Sequence, residues 1–285
     1  MFNCFPKFAD ELTKFRQLWW DQGNIHPKAN WENAPLPYEL KSNVSWDKYV
    51  ERTDKHNVHG MWEWNNGKVF VYELPSAPHE SACAGLIRLL NFELAGVFLT
   101  DYDFIFLGSM TTKAEHIGKE ADGCLRPEKK LAVDSDGCDG LHQPWPNLVV
   151  EVAYSESEEH LFDKIKNYWL RPNRAHDVIA IKIEPPKAPE TIPSRMTAWY
   201  FCTDNRMADD NLDPIEFEFG TIDKFGNQLN IQPGQCIINI RLECLYMGMQ
   251  PEFQLPTQAL PNPISIDLYP VRRSILSSII CPSSQ

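Results

Sequence analysis

Three charged residues from separate segments of the chain have the types that a metal-dependent hydrolytic site requires. Asp122 lies in the segment KEADGCLRP (119–127), Glu151 in the segment PNLVVEV (146–152), and Lys164 in the stretch 160–170. An Asp and a Glu from neighbouring strands can hold one hard divalent cation through oxygen atoms. An ammonium group beside them can stabilise negative charge on a phosphoryl group. Together, the three residues predict metal-assisted hydrolysis of a phosphodiester bond.

The composition indicates a globular protein without a general affinity for nucleic acid. The chain has 285 residues, of which 43% are hydrophobic and 12% aromatic, enough for one large domain or two small ones. Its net charge of -12 argues against a basic surface that displaces counterions from a phosphate backbone. A local basic patch would have to bind nucleic acid, and the cluster that we assign to this role is Lys164, Lys166, Arg171 and Arg174.

The sequence predicts an intracellular protein, cytoplasmic or nuclear, that is not secreted. Charged residues interrupt the first twenty positions, so these lack the apolar core of a signal peptide. The eight cysteines are irregularly spaced, and we expect their thiols to be reduced. No uncharged apolar run approaches the roughly 18 residues that a membrane-spanning helix requires. We therefore expect no membrane association.

Four segments of the chain differ in their patterns. Residues 1–57 are aromatic but irregular and predict an N-terminal lead-in with one or two short helices. Residues 58–185 contain the periodic segments of a core. Residues 186–249 predict strands at 198–202, 214–219 and 237–245, which form a β-rich extension of that core. Residues 250–285 are rich in proline and predict a C-terminal tail laid over the surface or a linker.

The core pattern begins with a hairpin followed by a helix. Residues 62–64 and 68–74 flank the turn pair Asn66-Gly67, which predicts a β-hairpin. Residues 81–95 carry leucines at helical spacing and predict a helix that packs on the sheet. We also predict short strands at 97–100 and 103–107, and a polar surface loop at 128–145.

A strand, a helix and a second strand follow in that order. Residues 148–152 form a continuous apolar run, typical of a central strand covered on both faces. Residues 156–170 have helical periodicity and end before Pro172, and residues 177–183 predict another strand. This order predicts a crossover unit with two parallel strands.

Both candidate carboxylates have a second interpretation. Glu151 lies inside an apolar strand, where an unpaired carboxylate is costly, so a metal ion is one way to compensate it. The alternative is a residue at a strand end that meets water or pairs with an arginine. Asp122 precedes Gly123, and Asp-Gly is a common turn pair. The residues by themselves leave a metal site and these structural roles open.

The predicted helix offers two candidate lysines. Lys164 and Lys166 flank its apolar stripe on opposite borders, so either could reach over the edge of the sheet while the other faces solvent. His160 lies one turn before Lys164 and either contacts a phosphate or meets water.

Other polar residues are weaker candidates. Glu63 lies between two tryptophans on the predicted hairpin, either as a third acidic group or as an outward-facing residue. His79 precedes a predicted helix and caps it or packs beside it. Cys124, Cys138 and His142 lack a CxxC pair and a fourth ligand at structural spacing, so we expect no zinc site there.

Taken in order, these residues resemble the restriction endonuclease family of the Uma type, within the PD-(D/E)XK nuclease superfamily. The resemblance covers residues 60–184. The matching parts are Glu63 four residues before Gly67, the stretch PSAPHE (75–80), Asp122, the segment PNLVVEV with Glu151, the segment SES (155–157), Lys164 four residues before Tyr168, and VIAI (178–181).

The resemblance implies an α/β fold with a restriction-endonuclease-like mixed β-sheet core flanked by helices, to which the C-terminal β-rich extension is added. It also implies that the lysine commonly found two residues after the acidic strand residue has moved onto the following helix. Ala153 occupies the first position and Lys164 the second, which selects Lys164 over Lys166. The chain departs from its relatives at His160, where they commonly carry an Asp, and in its long connection between Asp122 and Glu151.

The function that the resemblance implies is that of a Mg²⁺-dependent endonuclease, with Mn²⁺ as a substitute. Asp122, Glu151 and the Val152 carbonyl would bind the ion, Lys164 would stabilise the transition state, and Glu63 would assist. The expected partner is nucleic acid, DNA in preference to RNA, and a homodimer is compatible with this reading. The residues expected to contact nucleic acid are His160, Lys166, Arg171 and Arg174.

Two other classes of function stay open at the level of sequence. One is a catalytically inactive nuclease-fold protein that acts as a binding or interaction module, which the acidic net charge makes credible. The other is a metal-dependent hydrolase of small phosphoesters, which would use similar ligands. The presence of all three core groups favours catalysis on nucleic acid.

Overall fold

The computed structural model describes residues 17–23, 36–56, 58, 61–74, 76–114, 116–131, 143–187, 189–205 and 212–279. Residues 17–22 are helical. The longer helical elements are α1 (Trp46–His56), α2 (Ala77–Glu93), α3 (Glu158–Lys164), α4 (Leu242–Leu245) and α5 (Leu268–Ser277). The strands are β1 (Tyr38–Ser42), β2 (Trp62–Asn65), β3 (Lys68–Val71), β4 (Phe104–Phe106), β5 (Thr111–Ala114), β6 (Ile117–Glu120), β7 (Gly123–Pro127), β8 (Leu148–Ala153), β9 (Asp177–Ile183), β10 (Met196–Cys202), β11 (Ile215–Glu218), β12 (Ile237–Ile240) and β13 (Ile264–Asp267).

The first sheet contains the predicted hairpin. Its strand order is β1-β3-β2-β6-β5. The turn between β2 and β3 places Asn66 at φ 47° and Gly67 at φ 79°. Positive φ at both central residues is what a tight hairpin turn of type I′ requires, and Asn-Gly is the pair that adopts it most readily. The hairpin prediction is confirmed.

The second sheet is mixed and forms the centre of the molecule. Its strand order is β11-β10-β9-β8-β7-β4. The strands β8 and β9 pair in parallel, with Leu148 opposite Asp177 and Glu151 opposite Ala180, whereas the other pairs are antiparallel. Since α3 connects β8 to β9, the predicted crossover unit is confirmed, as is the mixed α/β fold. The predicted strands at 198–202 and 214–219 extend this sheet as β10 and β11.

The chain passes from one sheet to the other at Ala121 and Asp122. These two residues separate β6, in the first sheet, from β7, in the second. The two sheets therefore meet at the point where the sequence places its candidate acidic residue.

Apolar residues cover both faces of the second sheet. One face packs against α2 and the C-terminal elements, with Leu86, Val150 and Val271 among its fully buried side chains. The other face packs against α3 and the turn that follows it, with Leu161 and Trp169 fully buried. Because side chains alternate along β8, Val150 and Val152 lie on one face of the sheet and Glu151 lies on the other.

The structure overturns two local predictions. The expected strand at 97–100 is a 3-10 turn, Ala95–Val97, followed by Leu99 at φ 57°. The Asp103 carboxylate accepts the backbone N–H of Leu99, so a local side-chain bond replaces strand pairing. The expected strand at 237–245 ends at Ile240 and gives way to α4, where Asn262 accepts the backbone N–H of Leu242. Most of the predicted loop at 128–145 lies outside the described residues.

The two ends of the chain contain more regular structure than their composition predicts. The lead-in contains helical residues 17–22 and α1, as expected, but it also contributes β1, which pairs with β3. The expectation of a tail or linker is wrong for β13 and α5, because Ile264, Leu268 and Ile275 are fully buried. Their apolar side chains belong to the core, which the proline-rich sequence around them did not indicate. The four domain boundaries stay predictions.

Candidate metal-dependent hydrolytic site

Asp122 lies beside Glu151 because of the register between β7 and β8. Gly123 pairs with Val150, so the next step along the two antiparallel strands sets Asp122 opposite Glu151. The Oδ2 atom of Asp122 accepts the backbone N–H of Val152 at 2.7 Å. Asp122 therefore continues the pairing of the two strands through its side chain rather than through its backbone. The structure brings the two predicted carboxylates to one edge of the sheet.

Helix α2 contributes two groups to the surroundings of Asp122. The Nε2 atom of His79 lies 3.4 Å from Asp122 Oδ2, and the Cys83 thiol donates to the Asp122 carbonyl at 3.1 Å. Burial lowers the pKa of His79, but the Asp122 carboxylate outweighs it, so the pKa rises to about 11. His79 was expected to cap or pack beside its helix. In the structure it is buried beside Asp122, and the raised pKa favours its charged form.

Glu151 is fully buried and has two partners from the helical segment. Its Oε2 atom lies 2.8 Å from the Lys164 Nζ atom, and its Oε1 atom accepts the Trp169 indole N–H in a short hydrogen bond. Burial raises the pKa of Glu151, with Lys164 opposing this shift and Asp122 adding to it. The predicted pair of Glu151 and Lys164 is thus in contact.

A local change of helix type allows two residues of the same segment to reach Glu151. After Lys164 the helix continues as a π turn, Ile165–Trp169, in which the Leu170 N–H bonds to the Ile165 carbonyl at 2.9 Å. An i to i+5 repeat brings residues five apart toward the same face. Lys164 and Trp169 therefore both point at the strand, which a regular α-helix would not allow.

A second carboxylate, Glu156, holds Lys164 from the other side. Its Oε2 atom lies 3.2 Å from Lys164 Nζ, and its Oε1 atom makes a short contact with His160 Nδ1. Burial alone would raise the pKa of Glu156, but Lys164 and His160 lower it to about 2. Lys164 lies between Glu151 and Glu156 as a buried cation.

Glu63 extends this network toward the first sheet. It makes a short ion pair with Lys119 of β6, and its Oε2 atom lies 3.7 Å from His160 Nε2. His160 stacks on Tyr72 with ring centroids 3.5 Å apart and planes within 6°. Ligand-type atoms of Glu63, Glu156 and His160 all lie within 4.8 Å of one another, so this group could hold an ion or water. Glu63 faces the site rather than outward.

The turn after β8, which carries Glu156, is held from two sides. The Glu73 carboxylate accepts the backbone N–H groups of Tyr154, Ser155 and Glu156 at 2.7, 2.8 and 2.9 Å. The ammonium of Lys182 donates to the carbonyls of Tyr154 and Glu156 at 2.7 and 2.8 Å. These bonds satisfy a buried turn and position Glu156 beside Lys164.

The serines of the segment SES have separate structural roles at this turn. The Ser155 hydroxyl donates to Glu73 at 2.5 Å. The Ser157 hydroxyl accepts the backbone N–H of His160 at 3.2 Å and caps the start of α3. The motif thus positions the turn and the helix that carry the site.

The residues predicted to contact nucleic acid do not share one environment. His160 lies at the edge of the site, with 17% of its side chain exposed. Lys166 points away from the carboxylates, with its Nζ atom 5.8 Å from the Phe162 ring centroid. Arg171 is exposed, whereas Arg174 donates to the Tyr168 carbonyl at 2.8 Å and packs against aromatic rings. Their role in binding stays a prediction.

Sequence reasoning missed several residues of the network. Glu156 was missed although it lies four residues before the predicted site residue His160 across the start of a helix, which was a detectable signal for proximity. Lys119 and Glu73 gave no such signal, because their partners lie in distant strands and turns. Cys124, Cys138 and His142 were expected not to form a zinc site. Cys138 and His142 lie outside the described residues, and the buried Cys124 thiol donates to the Gly108 carbonyl.

The donor set fits a hard divalent cation. Four carboxylates lie among three cationic groups and the His160 ring, so the site offers several carboxylate oxygens as donors. The buried Glu151 Oε2 atom accepts no hydrogen bond of good geometry among the described residues, although Lys164 lies beside it. Carboxylate and carbonyl oxygens are the ligands that Mg²⁺ and Mn²⁺ prefer. The carboxylates are those of Glu63, Asp122, Glu151 and Glu156, and the cations are Lys119, Lys164 and His79.

Comparisons with known proteins give a similarity to a solved structure. No protein-family model matches the chain, and no match was found among curated proteins. Among solved structures, the chain is similar to one from Anabaena variabilis ATCC 29413 described as "a putative nuclease belonging to DUF820". The two share 11% identity, the alignment covers 65% of this chain and 94% of that chain, and the TM-score is 0.41. Membership of the Uma-type family stays a prediction.

The described helices include none with the length and apolar composition that crossing a membrane requires.

Proposed function

We propose that this chain is a divalent-metal-dependent endonuclease that hydrolyses phosphodiester bonds, with DNA as its substrate. One observation carries the proposal. Asp122 and Glu151 lie side by side on neighbouring strands, and the Lys164 ammonium lies 2.8 Å from Glu151. Two oxygen ligands and a cation in one buried corner are the groups that stabilise charge in phosphodiester hydrolysis.

Asp122, Glu151 and the main-chain carbonyl of Val152 would hold Mg²⁺, for which Mn²⁺ could substitute. When bound, such an ion supplies a Lewis acid that activates water and offsets the charge of the scissile phosphate. The hydrogen bond from the Val152 N–H to Asp122 orients one of these ligands. The Trp169 indole orients the other.

Lys164 would act as a cation rather than as a proton acceptor. Burial lowers its pKa, but Glu151 and Glu156 outweigh burial and raise the pKa well above its ordinary value. A protonated ammonium in a buried position stabilises negative charge that develops on a phosphate. Glu156 keeps this ammonium beside Glu151, so we assign it a positioning role.

Glu63 and His160 would hold a water molecule or a second ion beside the first. Their ligand atoms and that of Glu156 lie within 4.8 Å of one another. His160 also lies at the edge of the site, where it would meet a phosphate group. Lys166 lies on the same helical segment, and Arg171 and Arg174 lie in the turn after it. These three residues would contact the nucleic-acid backbone, which positions a duplex without reading its sequence.

The test compares cleavage by four forms of the protein. Supercoiled and linear DNA, and RNA in parallel, are incubated with wild type, Asp122→Asn, Glu151→Gln and the surface control Glu51→Gln, with Mg²⁺, Mn²⁺ or a chelator. We expect metal-dependent cleavage of DNA by wild type and the control, and its loss in the other two. Equal activity in all four forms would exclude the proposed site.

A second candidate is a catalytically inactive nuclease-fold protein that binds a partner. It is favoured by one observation, namely that Glu151 already has Lys164 and Trp169 as partners. Calorimetry with Mn²⁺ separates the two candidates. Uptake that depends on Asp122 and Glu151, without cleavage of DNA, RNA or a small phosphodiester, would favour the inactive protein.

A further inference from the structure

A separate group of ligand-type side chains lies near the other end of the central strands. His176 immediately precedes β9, Asp177 begins it, Cys202 ends β10, and Cys244 lies in α4. One ligand atom from each lies within 4.8 Å of the others, and all four residues are buried. Asp177 pairs with the first residue of β8, three positions before Glu151, so about 10 Å of strand separates this group from the hydrolytic site.

The spacing of these atoms matches the edges of a tetrahedral metal site. The Sγ atoms of Cys202 and Cys244 are 3.7 Å apart. Two thiolates at the usual Zn–S distance in a tetrahedron would be roughly 3.8 Å apart. His176 Nδ1 and Asp177 Oδ1 are 3.2 Å apart, against roughly 3.3 Å for a nitrogen and an oxygen bound to the same Zn²⁺.

The Asp177 carboxylate provides a second, independent indication of a cation. Asp177 has no exposed surface, and its Oδ2 atom makes no hydrogen bond of good geometry to the part of the chain that the structure describes, although the Tyr200 hydroxyl and the Cys202 thiol lie near this carboxylate. An unpaired buried carboxylate oxygen costs free energy. Its His176 neighbour satisfies only the other oxygen. A bound cation would compensate the carboxylate.

The surroundings of His176 are those of a metal-bound imidazole. Its Nε2 atom lies 3.3 Å from Asp204 Oδ1, and Arg241 makes a short ion pair with the other oxygen of Asp204. A histidine that binds zinc through one nitrogen commonly donates its other N–H to a carboxylate, which sets its tautomer. With the N–H on Nε2 held by Asp204, the imidazole would offer an ion the lone pair of Nδ1, the atom that faces Asp177.

Backbone contacts also hold the contributing segments together. The Asn147 carbonyl accepts the backbone N–H groups of His176 and Asp177, at 3.0 and 2.9 Å. The Asn147 amide donates to the carbonyls of Leu245 and Met247, at 2.8 and 2.9 Å. Asn147 thus joins the start of β9, through its backbone carbonyl, to the end of α4, through its side-chain amide, and the ligands are positioned before any ion binds.

We propose that His176, Asp177, Cys202 and Cys244 bind one Zn²⁺ ion, which cross-links α4 to the central sheet. Two sulfur ligands, one nitrogen and one oxygen suit Zn²⁺ better than Mg²⁺, because Mg²⁺ prefers oxygen ligands. All four positions are taken by protein, so the site is structural. It is chemically distinct from the all-oxygen ligands of the proposed nuclease.

Elemental analysis of the full-length protein, purified without chelator, tests this site. We expect about one zinc ion per chain in wild type. The Glu151→Gln variant should retain it, since the hydrolytic site is separate. The control Cys236→Ser, a buried thiol outside the group, should retain it too. Cys202→Ser and Cys244→Ser should each lose at least about ten-fold in zinc affinity.

A measurement on wild type covers the case in which these variants fail to fold. After removal of zinc, Co²⁺ should restore a thiolate-to-cobalt absorption band, and chelation should lower the melting temperature by roughly 10 °C. Wild type without zinc and without the cobalt band would overturn the proposal. A disulfide between Cys202 and Cys244, detected by mass spectrometry, would overturn it as well.

Discussion

The Lys164 ammonium lies 2.8 Å from a carboxylate oxygen of Glu151, although the two residues belong to a helix and to the strand before it. Ala153, two residues after Glu151 on the same face of β8, has no charge to offer this carboxylate. Lys182 pairs with Ala153 across the strands, yet its ammonium donates to the turn carbonyls of Tyr154 and Glu156. Lys164 therefore supplies the positive charge beside Glu151, and Lys182 supports the turn.

Lys164→Met should reduce cleavage far more than Lys166→Met. Removal of a preorganised cation from the transition state costs about 100- to 1,000-fold in kcat. Lys166 lies over the Phe162 ring, so its loss should chiefly weaken nucleic-acid binding. Steady-state cleavage assays measure both effects, with circular dichroism as the check on folding. A larger fall in kcat for Lys166→Met would reverse the assignment of the two lysines.

Trp169→Phe should weaken metal binding while retaining an aromatic ring in the core. The change removes the N–H that the indole donates to Glu151. Loss of a group that orients a metal ligand typically costs about 10- to 100-fold in affinity. Titration calorimetry with Mn²⁺ measures this change. The matched control is Trp199→Phe, whose indole donates to Glu216 instead, and equal affinities in the two variants would count against the role of Trp169.

Glu73→Ala should destabilise the fold by about 3 kcal/mol, because it leaves three N–H groups of the partly buried turn after β8 without an acceptor. Urea unfolding measures the difference. Glu51→Ala, on the exposed surface of α1, should leave stability nearly unchanged. A similar small effect for both variants would show that Glu73 does not support the turn.

The stabilisation due to His79 should depend on pH. Burial opposes its charge, but Asp122 raises its pKa from 6.5 to about 11 in the folded protein. A raised pKa contributes stability that is fully present below the unfolded pKa and is lost as the pH rises through the folded pKa. The gap in unfolding free energy between wild type and His79→Gln should therefore shrink as the pH rises from 6.5 to about 11. A constant gap would show that His79 is not charged in the folded state.

The sequence alone determined the elements whose signals are local. The apolar run of β8, the helical periodicity after it and the apolar β9 predicted the crossover unit, because such a unit buries a strand on both faces. The Asn66-Gly67 pair predicted the hairpin through its backbone preference. The resemblance then selected Asp122, Glu151 and Lys164, and the structure places these three together.

Only the tertiary structure decided which distant groups complete the sites. Glu73 contacts a turn 81 to 83 residues away in sequence, and Cys244 lies beside Cys202, from which 42 positions separate it in sequence. The C-terminal α5 packs against α2 although its surroundings read as a proline-rich tail. The periodicity of apolar residues indicates which face of a helix or strand is buried. The residues that pack on that face depend on strand register and on contacts between segments distant in sequence. Those are properties of the whole fold.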